Sequence, residues 1–467
     1  MSWIKYKVEK KQVFSGGTWV DSVPLETREG DAIGVFDTED ECNGIQNYKF
    51  RAKYSDSTEY IVNCNSSLTL TKEETSGHST SYTAMTSANI GDCVDTIAYT
   101  DFYNFYNLKN VNISSAVTTI ETGAFMECSG LTSIYIPDNV INLGAGVFEF
   151  CSNLKTAYIG NGVTTLSGGT FRYCINLESV DFGNNSHISK IDDWEFGWCK
   201  KLTGITIPNS VTSIGKYAFF GCSGMTGNVT IPNGVTSIGK YAFENCYSLE
   251  RVNIPVGIDT IEEGTFKDCS GLTSVTFSTD SQLTSIGDSA FTQCFGLTEV
   301  TIPNSVTSIG GQAFYRCSGL TGELILPDSL TEIGTNAFAY CTNITSVNIP
   351  TGVSVIGQSA FYRCYALEDV LIPSGVTSID SGAFSRCSGL TSVEIPRSVT
   401  NIGASSFAYC TNLNSFTVYS NTPPTLASNA FNNSSQNLTI YVPVNSVDLY
   451  KATSGWSSYS SRIQPIQ

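Results

Sequence analysis

Thirteen of the sixteen cysteines in this 467-residue chain stand three residues after a phenylalanine. The pairs are Phe125/Cys128, Phe148/Cys151, Phe171/Cys174, Phe196/Cys199, Phe219/Cys222, Phe243/Cys246, Phe266/Cys269, Phe291/Cys294, Phe314/Cys317, Phe338/Cys341, Phe361/Cys364, Phe384/Cys387 and Phe407/Cys410, with successive phenylalanines 23, 24 or 25 residues apart. A thiol can form a disulfide, ligate a metal or, once ionised, act as a nucleophile. The regular spacing argues against all three. Equivalent positions on stacked coils lie about 4.8 Å apart, beyond the roughly 3.5–4.5 Å between the Cβ atoms of a disulfide. Pairing neighbours would also leave one thiol over. Zinc needs a tetrahedral cluster, and these cysteines form a line. A nucleophile needs a base beside it, yet the only histidines are His78, in a Ser/Thr-rich stretch, and His187, in a two-residue insertion. The expectation is a ladder of buried, reduced thiols acting as small apolar groups.

Other chemistry is sparse. Gly215-Lys216 and Gly239-Lys240 are followed by Tyr and lack the preceding glycine of a phosphate-binding loop. Gly160-Asn161-Gly162 reads as a turn. The acidic run Asp37-Thr38-Glu39-Asp40-Glu41 lacks the alternating ligands and glycine of a calcium loop and reads as a solvated loop. No carboxylate pair stands out for glycoside cleavage. The chain is therefore expected to be no enzyme and to carry neither metal nor cofactor. With 25 Lys and Arg against 42 Asp and Glu, the formal charge is −17, which disfavours nucleic acid and anionic membranes as partners. No apolar run reaches membrane-spanning length. The start, Met1-Ser2-Trp3-Ile4-Lys5, has no stretch of secretory-signal type. A removed signal, carriage in a virus particle, release by lysis and retention inside the cell all remain open.

The elements that position the Phe/Cys pairs follow from the period. The cleanest copy, Leu297 to Gly319, reads L-T-E-V-T-I-P-N-S-V-T-S-I-G-G-Q-A-F-Y-R-C-S-G. Leu297, Val300 and Ile302 make a short strand that Pro303 stops, because proline has no N–H to donate. Val306 and Ile309 give a second apolar step, Gly310 a tight turn, and Ala313-Phe314 the start of a short helical or 3-10 turn that carries Phe and Cys inward. A fixed period of this size specifies a repeat solenoid of short strands and turns, and the strand-like alternation before it a small β domain at the N-terminus; the resemblance given below makes the expected fold a solenoid of leucine-rich-repeat type with short parallel strands. Phe125, Cys128, Phe291, Cys294, Phe314 and Cys317 exemplify its structural ladder.

The expected organisation is a β domain and Ser/Thr-rich linker over 1–84, about fifteen coils over 85–436 and a C-terminal cap over 437–467. Two hairpins are expected in the first part: Tyr6–Phe14 with Thr18–Val20, and Tyr48–Tyr54 with Glu59–Cys64. The first coil is degenerate, with Phe105 where Cys is expected. Phe431 closes the series, with Ser434 in place of Cys and one neighbour missing. Trp456 belongs to the cap.

Two surfaces are candidates for binding. Outward positions on the first strand carry Tyr135 and Tyr158 on adjacent rungs, then Glu299, Glu323 with Ile325, Asp369 with Leu371, and Glu394. Positions between Phe and Cys carry Phe150, Tyr173 and Trp198, then Tyr315, Arg316, Tyr340, Tyr362, Arg363, Arg386 and Tyr409. Aromatic and Arg side chains are the usual anchors of protein interfaces, though packing between coils would equally explain the second series. The strand face is favoured, because its short side chains leave a broad sheet.

The repeated phrase resembles the BspA-like, or Treponema-pallidum-type, leucine-rich repeat. The resemblance runs from Met85 to about Ile466 and includes the Y-V-P…S-V…Y-K…W ending. It implies a right-handed solenoid on the outside of bacteria or protists that binds host proteins or other cells. Lys10 to Trp19, K-K-Q-V-F-S-G-G-T-W, resembles small modules of surface and phage-associated proteins from gut Bacteroidetes. The leading expectation is a non-enzymatic, adhesin-like protein, extracellular or at the cell surface, that binds a protein or cell-surface ligand. The alternative is a structural or receptor-binding protein on a phage virion, docked to a larger assembly through the N-terminal β domain. A glycan-processing enzyme ranks third.

Overall fold

The structure is a computed structural model. It describes residues 84–466, and before them the strands Gln12–Ser15, Thr18–Asp21, Tyr48–Tyr54, Glu59–Asn63 and Thr69–Leu70. His78, the run Asp37 to Glu41 and the stretch Thr71 to Thr83 lie outside the described residues. The chain divides into two units, residues 1–44 and 45–467. In the first, Gln12–Ser15 pairs antiparallel with Thr18–Asp21. The second is a parallel β-solenoid of about sixteen turns.

Each coil contributes to three ladders. The first is a sheet of short strands in register, as where Ser133–Ile136 pairs with Thr156–Ile159 and that with Ser179–Asp181. Ile134 and Ile136 are buried while Tyr135 points outward, the period-two alternation of a half-buried strand. The second ladder is made of two-residue strands such as Ser285–Ile286, Ser308–Ile309 and Glu332–Ile333, again parallel and in register. Gly310 makes this step possible by close approach rather than by a special turn. A Cβ there would meet the backbone N of Asp288 at 2.7 Å.

The third ladder corrects the expected helical or 3-10 turn. Between residues 85 and 443 no helical segment forms. Backbone donors alternate instead. The N–H groups of Phe125 and Glu127 donate to Val147 O and Glu149 O on the next coil, at 3.0 and 2.8 Å, while those of Met126 and Cys128 turn back to Gly123 O and Phe125 O, at 3.0 and 3.3 Å. Gly123 and Glu127 hold φ of 64° and 62°. Left-handed residues at these points interrupt any right-handed helix and free every second N–H for the adjacent coil. The segment is thus a ladder of turns joined coil to coil through the backbone.

Inside, the phenylalanines form one continuous stack, from Phe102 on Phe125 at 4.8 Å to Phe407 on Phe431 at 5.9 Å between ring centroids. The thirteen thiols are free and buried. They do more than fill space. Each donates to the carbonyl of the phenylalanine one coil earlier in the ladder, from Cys128 Sγ to Phe102 O at 3.1 Å through to Cys410 Sγ to Phe384 O at 3.2 Å. Burial pushes Cys128 and Cys341 up to about 12, so neither supplies a thiolate near neutrality. Alkylation of the native chain at neutral pH is expected to leave these thirteen unlabelled, and alkylation in denaturant without reductant to label them all. Mass spectrometry distinguishes this outcome from a disulfide ladder. Cys93, outside the ladder, is disulfide-bonded.

Both ends are covered. Tyr48–Tyr54 pairs antiparallel with Glu59–Asn63 on one edge and with Met85–Ile90 on the other, and Met85–Ile90 continues parallel to Asn110–Ile113. Thr69–Leu70 pairs parallel with Thr96–Ile97. These strands belong to the same unit as the solenoid. The physical reason is the edge of Met85–Ile90, which would otherwise leave its N–H and C=O groups open. At the other end, Trp456 Nε1 donates to Pro424 O at 2.7 Å and Tyr450 Oη to Ser420 O at 2.8 Å. Ile463–Pro465 adds a parallel strand to Thr439–Val442. Phe431 is not left short of a neighbour, because Tyr459 meets it edge-on at 5.4 Å.

Candidate binding surfaces on the strand face and the turn edge

On the strand face, register sets which side chains meet. Tyr135 pairs with Tyr158 and Tyr158 with Asp181. The two tyrosine rings stack at 4.7 Å and 5°, and Tyr135 is 52% exposed. Partial burial, then Asp138 and Tyr135, pushes the Tyr158 hydroxyl up to about 12, so it stays a neutral donor. Further along, Glu323 lies in register with Ser346 and Asp369, and Ile325 with Asn348 and Leu371. Ile325 and Leu371 are 68% and 63% exposed. The result is an acidic row beside an aliphatic one. Glu299 pairs in register with Ser274. Glu394 pairs with Thr417, and its hydrogen bond with the Tyr419 hydroxyl pushes that group up.

The turn edge gathers the second series. Tyr340 meets Tyr315 and Tyr362 edge-on at 5.3 and 5.4 Å. Arg316 lies over Tyr315 and Tyr340, and Arg363 over Tyr340 and Tyr362, all between 5.0 and 5.4 Å. Arg363 Nε also donates to Tyr362 Oη at 3.0 Å. Tyr315, Arg316, Tyr362 and Arg363 are thus brought together by Tyr340, and each ring and guanidinium contributes to contacts between coils. A larger cluster lies nearer the N-terminus. Phe150 stacks on Tyr173 at 4.7 Å and Tyr173 on Trp198 at 6.2 Å. Trp194 stacks on Tyr217 at 4.2 Å and Tyr217 on Tyr241 at 5.1 Å. Phe220 joins the two stacks, edge-on to Trp194, Trp198 and Tyr217. Sequence reasoning missed Trp194, Tyr217, Phe220 and Tyr241. The signal was there: aligned on phenylalanine, three consecutive coils read Trp, Tyr and Tyr two residues earlier.

Beneath Trp194 the ladder holds one anomaly. Glu195 occupies the position that Ala218, Ala242, Ala290 and Ala313 occupy in their coils, and it is fully buried. Its Oε2 accepts from Thr170 N at 3.3 Å, while its Oε1 and the Thr170 Oγ1 have no partner. Burial pushes its carboxyl up to about 8, against the backbone hydrogen bond from Thr170 and with a further push from Asp192. His187 is exposed beside Asn161 O. Among the described residues no group of three or more His, Cys, Asp or Glu is arranged to hold a metal, and no helix is long and apolar enough to cross a membrane.

Short parallel rungs, a phenylalanine stack and an outward strand face define a leucine-rich-repeat solenoid. The BspA type leucine rich repeat family model matches residues 73–202, 189–321 and 320–439, and the chain belongs to that family. A leucine-rich repeat protein from Bacteroides ovatus is similar at 27% identity, with a TM-score of 0.57, over 72% of this chain and 92% of that one. A leucine rich repeat protein of T. pallidum is 28% identical over 35% of this chain and 78% of that one, with a TM-score of 0.33. A leucine rich cell surface protein from Faecalibacterium prausnitzii is 27% identical over 77% and 84%, with a TM-score of 0.36. No curated protein matches the chain.

Proposed function

We propose that this chain is a non-enzymatic, adhesin-like protein that works outside the cell and binds a protein or cell-surface ligand across its strand face. The observation that carries the reading is the exposure of Ile325 and Leu371, at 68% and 63%, in one row beside the carboxylates of Glu323 and Asp369. Aliphatic side chains held out on a sheet gain free energy when a partner covers them. The carboxylates beside them select a partner with basic groups. Tyr135 and Tyr158 extend the same face as a rigid aromatic anchor. A ligand lying along the ladder would touch several rungs and collect many small contacts around these few.

The test uses surface preparations from host cells and from bacteria, immobilised and probed with the chain. Ile325→Ser with Leu371→Ser, and Tyr135→Ala with Tyr158→Ala, are expected to weaken binding at least tenfold, which corresponds to about 1.4 kcal/mol. Circular dichroism should be unchanged, because these side chains are on the surface. Weakening by Arg316→Ala with Arg363→Ala alone, with both strand-face variants binding normally, would rule the strand face out.

A further inference from the structure

We infer that the turn edge of the coils from Phe148 to Phe243 is a second interaction surface, and that it takes an acidic polypeptide. The inference stands on this edge alone and does not depend on the strand face.

The first observation is conformational. The residue before each ladder cysteine has positive φ in every coil, and so has the residue two before the phenylalanine in most of them. An L side chain in this region costs roughly 1–2 kcal/mol, and Gly and Asn are the residues that enter it readily. Several coils follow that rule, with Asn104, Gly221, Asn245 and Asn433 before the cysteine position. On this edge the chain instead places Phe150, Tyr173 and Trp198 at φ of 62°, 60° and 65°, and Trp194, Tyr217 and Tyr241 at 61°, 58° and 59°. Six large aromatics stand where the backbone favours the smallest polar residues. Stacking returns about 0.5–1.5 kcal/mol per pair, which lets the coils tolerate them but gives no reason to prefer them to asparagine.

The second observation is electrostatic. Because the rings stack along the solenoid, they turn their edges outward, and the edge is the positive part of an aromatic quadrupole. Cations reinforce it. Arg172 lies over Tyr173 and Trp194 at 5.1 and 4.7 Å, Lys200 over Trp198 at 5.3 Å and Lys216 over Tyr217 at 4.9 Å. Of the nearby carboxylates, Glu149 pairs with Arg172 at 3.2 Å, Asp192 with Lys190 at 3.0 Å, and Glu263 with Lys240 at 3.2 Å and with the Tyr241 hydroxyl, while the exposed Asp193 accepts from the backbone N–H of Lys216 at 2.7 Å. On a chain of formal charge −17, residues 148–243 carry seven Lys and Arg against six Asp and Glu, so this stretch lacks the acidity of the rest. Carboxylates suit it, and Trp, Tyr and Arg are the side chains that anchor protein partners. A sugar would need a free ring face, and Tyr173 and Tyr217 each have a ring stacked on both sides.

The full chain is tested by surface plasmon resonance against an immobilised copolymer of glutamate and tyrosine. Tight binding is expected there, with none to a copolymer of lysine and tyrosine. The triple variant Phe150→Asn, Tyr173→Asn and Trp198→Asn uses the residue other coils carry at that position, so it should fold, as thermal unfolding will verify. That variant and Lys200→Glu with Lys216→Glu are each expected to weaken binding at least tenfold. Lys109→Glu with Lys451→Glu, equal in charge but elsewhere, should change it less than twofold. Absence of binding, or binding indifferent to the asparagine variant, overturns the inference. So does equal loss in the Lys109/Lys451 variant, or tighter binding to dextran sulfate lost through the same residues, which would mark a site for polyanionic glycans.

Discussion

Raising the pH from 4.5 to 8 is expected to cost the solenoid up to roughly 5 kcal/mol at Glu195 alone, and Glu195→Gln to abolish that loss. The figure is an upper bound, from the ordinary carboxyl value of 4.5 and the buried value of about 8 at about 1.4 kcal/mol per unit. The sign follows from proton counts. Below pH 4.5 the carboxyl is protonated in both states and the folded form is at its best. Above 4.5 the unfolded chain releases the proton while the folded chain retains it, so stability falls with rising pH until about 8 and then levels. Burial is the main cause, because the charged form would sit without water and with Oε1 unpaired. Urea unfolding of both proteins at pH 5 and pH 8 isolates the effect, since their difference cancels every other titrating group. A difference that does not grow with pH would mean that water reaches Glu195.

Phe291→Ala is expected to cost about 3–5 kcal/mol, the usual loss for a fully buried phenylalanine. Its ring stacks on Phe266 at 5.5 Å and Phe314 at 5.2 Å, so truncation strips one face from each neighbour. A solenoid's stability is a sum of coils and the interfaces between them, and this change weakens two interfaces at once. The sequence suggested a milder effect at Phe431. With Tyr459 and Phe416 both packed against that ring, the Phe431→Ala loss should approach that at Phe291 unless Tyr459 is removed with it. Denaturant midpoints of Phe291→Ala, Phe431→Ala and Phe431→Ala with Tyr459→Ala order the three. A small loss at Phe291 would contradict the stack.

The inward half of this protein was legible because burial constrains residue type. Ile134, Phe148 and Cys151 recur because only apolar side chains of that size fit between rungs, and outward positions such as Tyr135 followed from strict alternation. The turn edge was not legible for the opposite reason. Left-handed backbone is normally betrayed by glycine or asparagine, and here Trp194, Trp198 and Tyr217 hide it. Phe220 joins the two stacks across coils, a contact that no spacing along the chain encodes. The pairing of Tyr48–Tyr54 with Met85–Ile90 was missed because a hairpin pattern fixes one edge of a strand and leaves its other partner open. Glu195 was passed over as one charge among many, although its place before Phe196 marked it as buried.

The turn edge has a consequence for inheritance. Its coil-to-coil hydrogen bonds run from backbone to backbone, as from Phe125 to Val147, and thus ask nothing of the side chains. An in-frame duplication or loss of one coil-length stretch of gene would present the same donors and acceptors to the coils on either side. The capping strands and Trp456 would close the ends as before. Lineages carrying such a gene can lengthen, shorten or repaint the exposed surface one unit at a time, without passing through an unfolded ancestor.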